Sequence, residues 1–318
     1  MQRTGWNRMV STLGMSHEDW LMYRKRGIGG SDAGAICGMN PYSSPIAVYM
    51  DKISPASEKE DNEAMRQGRD LEAYVAERFM EATGKKVRKA NSIFFHLDHP
   101  YMIANVDRMV IGENAGLECK TVSPYNADLW EGGKIPPHYE VQCHHYMAVT
   151  GADAWYIAAV ILGRGFLYKR IERDDDLIQS LISIESDFWN IHVEQKIMPY
   201  VDGSPAAEQL IREMYPDSSP GTSIPLPDAF SESLKRREEI DELMDKLEQE
   251  KAQVEQEIKQ YMEDAEEASN RKYRVTWKSC ISNRIDSNKL KEELPAVYQA
   301  YCKESKSRRF LVKKLEEG

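Results

Sequence analysis

Apolar residues recur along this chain with two different periods, and the switch between them marks out the elements. Val106–Ile111 and Leu117–Val122 are short apolar-rich runs, and Gly112–Gly116 (GENAG) between them is a turn signal, so the pair predicts an antiparallel hairpin. Trp155–Leu162 and Gly165–Ile171 predict a second strand pair, joined at Gly163 and Arg164. Helical spacing takes over in Glu63–Thr83, stopped by Gly84, in Tyr139–Thr150, stopped by Gly151, and in Asp174–Lys196. A shorter helix is expected through Ala33–Cys37, with Ser31 or Asp32 as its N-cap.

Beyond a first domain at 1–200 the pattern changes. Pro205, Pro216, Pro220, Pro225 and Pro227 punctuate a polar stretch, so 201–228 reads as a linker. Residues 229–268 predict a long charged helix. Its Ile240, Met244, Leu247, Val254, Ile258, Tyr261 and Ala265 fall at 4-3 spacing, broken by Lys251, which suits either a short coiled coil or a packed hairpin arm. The tail, 269–318, reads as a small α+β segment: RKYRVTWKSC (Arg271–Cys280) looks like a strand and Leu290–Tyr301 like a helix.

Composition adds limits. The 318 residues are 41% hydrophobic and 30% charged, which describes a folded globular protein. No apolar run approaches the ~20 residues that span a bilayer, and the N-terminus has no signal-peptide core, so a cytoplasmic location is expected and no membrane partner. Cys37, Cys119, Cys143, Cys280 and Cys302 are scattered, which argues against disulfides and against a Cys-based metal site. The net charge of −10 argues against a protein that coats nucleic acid, but it leaves room for a local basic groove. Lys85, Lys86, Arg88 and Lys89 form one such cluster, and a solvated loop accounts for them equally well.

The chemistry gathers in the hairpin. In a strand, alternate side chains share a face, so Glu118 and Lys120 point one way and Leu117 and Cys119 the other. Folding back through the turn brings Asp107 close to Glu118, and cross-strand Cβ atoms ~5 Å apart let one oxygen-liganded cation touch both carboxylates. Such a centre suits phosphodiester hydrolysis, with the lysine orienting the attacking water or neutralising developing charge. A surface strand with an exposed salt bridge fits the same residues. Glu72 lies on the buried edge of the Glu63–Thr83 helix and is a candidate fourth member. It is also an acid of the kind favoured near a helix start.

Five motifs then occur in order: Trp20–Asp32 (WLMYRKRGIGGSD), Gly68–Glu72 (GRDLE), Asn105–Asp107 (NVD), Leu117–Lys120 (LECK) and Gln142–Tyr146 (QCHHY). Together they resemble the YqaJ-type viral recombinase nucleases, which are similar to phage lambda exonuclease; the last also matches the Q-x-x-x-Y motif of RecB-like nucleases. The resemblance covers roughly residues 15–200. It implies an α/β fold with a restriction-endonuclease-like PD-(D/E)xK core, a central mixed sheet flanked by helices. It implies Glu72, Asp107, Glu118 and the backbone carbonyl of Cys119 as ligands of Mg²⁺ (or Mn²⁺), and Lys120 as the catalytic lysine. It implies Arg24, Ser31 and Gln142 as phosphate contacts, with Trp20 at matching spacing. His144 stands where a phosphate-contacting Gln is usual. The activity implied is 5′→3′ digestion of double-stranded DNA ends, leaving 3′ overhangs for a single-strand annealing recombinase in phage or prophage recombination. A homotrimer in the bacterial cytoplasm is implied as well. An endonuclease on the same core and a recombination scaffold are the competing readings.

Overall fold

The computed structural model describes residues 6–55 and 62–315. The chain divides into two compact units between Tyr215 and Pro216.

The first unit begins with β1 (Arg8–Ser11), α1 (His17–Arg24), α2 (Gly30–Ile36), α3 (Pro45–Ile53) and α4 (Glu63–Thr83). Strands β2 (Val87–Lys89), β3 (Ser92–Phe95), β4 (Ile103–Asn105), β5 (Arg108–Val110) and β6 (Ala115–Val122) follow. A 3₁₀ segment, Pro124–Gly133, leads into α5 (Pro137–Thr150), β7 (Ala154–Ile161), β8 (Gly165–Glu172) and α6 (Asp175–Asp187). The strands form two sheets, β1-β3-β4 and the five-stranded β2-β5-β6-β7-β8. In the larger sheet β6 and β7 run parallel, joined over α5, and the other pairings are antiparallel. The expected mixed sheet with helices on both faces is therefore present, and the small β1-β3-β4 sheet stands beside it.

Alternation along β7 explains the layering. Ala154, Tyr156, Ala158 and Val160 face Val75, Ala76 and Phe79 of α4 in one apolar cluster. Trp155, Ile157 and Ala159 face Cys143, Tyr146 and Met147 of α5 in another. Strand β7 is buried on both faces, hence its unbroken apolar run. Helix α4 has the length the apolar spacing predicts. Asn62 caps its start through Met65 N–H, and Gly84, at φ 69°, closes its end.

Several boundaries differ from expectation. The cap of α2 is Gly29, not Ser31 or Asp32; Asp32 sits one turn in and accepts the Gly29 N–H at 3.0 Å. The next residue, Gly30, has to be glycine because α2 and α5 touch: a Cβ there would lie 2.6 Å from the Tyr146 ring. The helix expected over 174–196 is α-helical only to Asp187 and continues as a π-helical turn, Phe188–Glu194. The stretch expected as a linker contains α7 (Pro205–Met214), capped by Ser204 and anchored by the buried Ala207.

In the second unit α8 (Ala229–Met262) stops six residues short of the expected end. The 4-3 seam residues Ile240, Met244, Leu247, Val254 and Tyr261 are exposed. Pairs such as Arg237–Asp241 and Lys259–Glu255 lie along the helix surface, each contributing about 0.3–0.5 kcal/mol. Strands β9 (Glu267–Ser269) and β10 (Arg274–Thr276) pair antiparallel. The expected helix over 290–301 is two, α9 (Ser287–Glu293) and α10 (Pro295–Tyr301), because Pro295 supplies no N–H and pushes Leu294 out of helical geometry. No helix among the described residues is long and apolar enough to cross a membrane.

Candidate active site

Strand β6 supplies the first two groups. Its Leu117 is buried in the α4-side cluster and Cys119 packs against that cluster, so Glu118 and Lys120 face α5. The Lys120 ammonium lies 2.7 Å from Glu118 Oε1. The register Arg108↔Leu117, extended by one residue, sets Asp107 opposite Glu118. Asp107 Oδ2 accepts the Cys119 N–H at 2.8 Å, which holds its carboxylate against β6.

Helix α5 completes the centre from above. Gln142 Nε2 donates to Glu118 Oε1 and to the Tyr146 hydroxyl, both at 2.8 Å, while its Oε1 accepts from Lys120 Nζ at 3.1 Å. One amide thus reads both charges of β6, and its orientation is set by them. Tyr139 adds its ring face, with Lys120 Nζ 4.4 Å from the centroid. Gln142 and Glu118 are about 5% exposed or less, so these contacts are shielded from water.

Electrostatics at the centre are unbalanced toward negative charge. Burial pushes the Asp107 carboxyl well above its ordinary range, and the neighbouring Glu118 and Glu72 carboxylates push it further. Burial alone would lower Lys120, but Glu118, Tyr139 and Asp107 together outweigh it and keep the ammonium protonated well past its usual range. Glu118 Oε2 is buried without a hydrogen-bond partner. An orphaned carboxylate oxygen beside a second, crowded carboxylate fits an oxygen-liganded divalent cation. Among the described residues, however, no three acidic, His or Cys side chains already converge on one point. Glu72 explains this: its carboxylate is engaged by the Arg108 guanidinium, which also donates to the Asp107 carbonyl. The Cys119 thiol is pushed far up by burial, so its sulfur is no anionic ligand.

A second group of side chains lies beside the first. Trp20, Arg24, Gly29, Gly30, Ser31, Ile103, Asn105 and Tyr146 line a cavity of about 140 Å³. The Arg24 guanidinium stacks over the Trp20 ring at 5.2 Å and lies 3.5 Å from both Ser31 Oγ and Asp32 Oδ1. Tyr146 belongs to both groups, as a wall of this cavity and as the partner of Gln142. The structure therefore brings together Arg24 and Ser31, and separately Asp107, Glu118, Lys120 and Gln142, with α5 between them.

His144 is the exception. Two residues along a helix turn a side chain to the far side, so His144 points away from Gln142. It lines a groove with Lys169–Leu177 and contacts its own helix at the Glu140 carbonyl. The expectation that it joins the phosphate contacts does not fit this placement. His145 is fully buried between Glu185 and the Ile103 carbonyl, a structural tie. His96 accepts the Asp98 and His99 N–H groups and shapes a turn.

Four residues of the site escaped the sequence. Tyr139, Arg108, Asp32 and Lys52 act through partners 20 to 36 positions away in most cases, such as Lys52 with Asp32 and Arg108 with Glu72. Only Asp32 carried a local signal, as an acid at a helix start.

A family model described as the YqaJ-like viral recombinase domain matches residues 19–153. YqaJ of Bacillus subtilis (strain 168) is 41% identical over 305 residues, covering 95% of each chain. Among solved structures, an alkaline exonuclease (LHK-Exo) from Laribacter hongkongensis aligns with TM-score 0.49 and 22% identity over 62% of this chain and 97% of its own. A phage-related exonuclease from Haemophilus somnus 129PT aligns with TM-score 0.40 and 15% identity over 59% and 96%.

Proposed function

The chain belongs to the YqaJ-like viral recombinase domain family, and from that premise we propose that it is a divalent-metal-dependent deoxyribonuclease acting on the ends of double-stranded DNA. The observation that carries this reading is the Asp107–Glu118–Lys120–Gln142 cluster, in which a buried carboxylate oxygen has no partner.

Asp107 and Glu118 would hold Mg²⁺ (Mn²⁺ substituting), with the Cys119 carbonyl, and with Glu72 once it shares its carboxylate with Arg108. When bound, the cation supplies Lewis-acid activation of the phosphodiester and of water. Lys120 stays cationic between Glu118 and Gln142, so it donates hydrogen bonds and offsets negative charge as the phosphorus centre is attacked; it is poorly suited to take a proton. Gln142 fixes the Lys120 ammonium and the Glu118 carboxylate relative to each other. Tyr139 screens the ammonium from solvent. Arg24 and Ser31, with the N–H groups at the start of α2, form the cradle for a terminal 5′-phosphate, Arg24 offering a planar fork. Trp20 gives that fork a backing.

In this reading digestion runs 5′→3′ and leaves 3′ overhangs for a single-strand annealing recombinase, within the bacterial cytoplasm during phage-type recombination. A homotrimer around DNA belongs to the same reading. The test is digestion of 5′-phosphorylated linear duplex with Mg²⁺. Glu118→Ala and Lys120→Ala are each expected to cut at least about a hundredfold more slowly, the scale of losing one preorganised transition-state contact. Cutting by both variants at the wild-type rate removes the assigned centre, and cutting of closed circular duplex moves the reading to an endonuclease.

A further inference from the structure

Arg24 has a competitor for any anion it is meant to bind. Asp32 lies 3.5 Å from its guanidinium, one residue past Ser31, which lines the same cavity. An unpaired carboxylate there would claim Arg24 and repel a phosphate.

Lys52 of α3 removes that conflict. Its side chain is fully buried, and its Nζ lies 2.7 Å from Asp32 Oδ2, closer than Arg24 lies to Oδ1. The same ammonium donates to the Arg24 carbonyl at 3.1 Å, so it also ties down the end of α1. The Gly29 N–H takes a further share of Oδ2. Burial raises the Asp32 carboxyl, but Lys52 and then Arg24 outweigh it and keep it ionised. Lys52 also lies 3.6 Å from Asp51 Oδ2, but its contact with Asp32 at 2.7 Å is the shorter one and holds that carboxylate. Arg24 reaches Asp32 and Ser31 through one terminal nitrogen at 3.5 Å and keeps the rest of its fork for a phosphate.

We propose that Lys52 is a positioning residue of end recognition: by saturating Asp32 it leaves Arg24 available to the terminal phosphate. The inference rests on the reading of the Arg24–Ser31 cavity as a 5′-phosphate cradle. A burial-only role for the pair makes a different prediction, since loss of packing would slow cutting of every end alike.

The experiment compares kcat/KM on duplexes of one sequence carrying a 5′-phosphate or a 5′-hydroxyl. Wild type is expected to prefer the phosphate. Lys52→Met should lower that preference about tenfold or more through KM for the phosphorylated end, the worth of a charge-assisted hydrogen bond. Asp32→Asn and the double variant Lys52→Met/Asp32→Asn, which both remove the competitor, should keep the preference. The double variant also spares the fold an unpaired buried carboxylate, so it decides the matter if Lys52→Met does not fold. Preference unchanged in Lys52→Met, or lost in the double variant to the level of Arg24→Ala, overturns the role of Lys52 while the cradle stands. A wild type indifferent to the 5′-phosphate overturns the cradle itself, and the role of Lys52 with it.

Discussion

Asp107 is half-buried, crowded by two carboxylates and held by one N–H. The site therefore stores repulsion when no cation is present. Asp107→Asn should raise the melting temperature of the metal-free protein by about 2–4 °C, the equivalent of roughly 1 kcal/mol in a unit of this size, and should abolish the further rise expected of wild type with Mg²⁺. A scan with and without Mg²⁺ reads both effects, and a lower metal-free midpoint counts against stored repulsion. Tyr139 offers a second check. Tyr139→Phe keeps the ring over Lys120 and should cut nearly as wild type, whereas Tyr139→Leu should lose about 3- to 30-fold in kcat, the span of a cation–π contact. At this scale the sequence displays the groups but not their partners. Glu118 and Lys120 are readable because the strand period places them together. Arg108, one residue past Asp107, looks like an ordinary strand cation until α4 is packed beside it and Glu72 takes it up.

Between elements, one contact sets how two strands pack and another how two helices are joined. Gly116 of β6 sits under Trp155 of β7, where a Cβ would lie 2.2 Å from the indole. Gly116→Ala should cost about 1–3 kcal/mol by overpacking, seen as a lower denaturant midpoint. Helix α5 is tied to α6 by the fully buried His145–Glu185 pair. Burial alone would lower the imidazole, but Glu185 and the Ile103 carbonyl outweigh it, so its pKa is raised in the folded state. The stabilisation is thus complete below the unfolded His value of ~6.5 and disappears as pH rises through the raised value. Urea midpoints should fall as pH climbs through that upper window, and Glu185→Gln should flatten the slope; a midpoint that rises instead reverses the assignment. Elements themselves were largely legible. Both strand pairs and α4 follow from apolar spacing and from Gly84, Gly112 and Gly163 at positive φ. The π-helical turn at Phe188–Glu194 has no sequence punctuation, whereas the break at Pro295 was in plain view.

At the scale of the molecule, every group assigned to the site lies in the unit ending at Tyr215, and the long helix α8 belongs to the other. A chain ended after Tyr215 should still cut phosphorylated duplex, within about tenfold of the full chain in kcat/KM; complete loss would give the second unit a part in the chemistry. What the second unit binds was not legible, because an exposed 4-3 seam has the same pattern whether or not it finds a partner. The first unit holds one more consequence. Asn105 ends β4 on the wall of the Arg24 cavity, and Asp107 starts the hydrolytic hairpin two residues later. Two extended residues span about 7 Å, a length the chain cannot vary. On the proposed function, this link sets the distance between the phosphate cradle and the carboxylate centre. Products of digestion are then expected to be uniform in size whatever the base sequence, which sizing them on a denaturing gel checks.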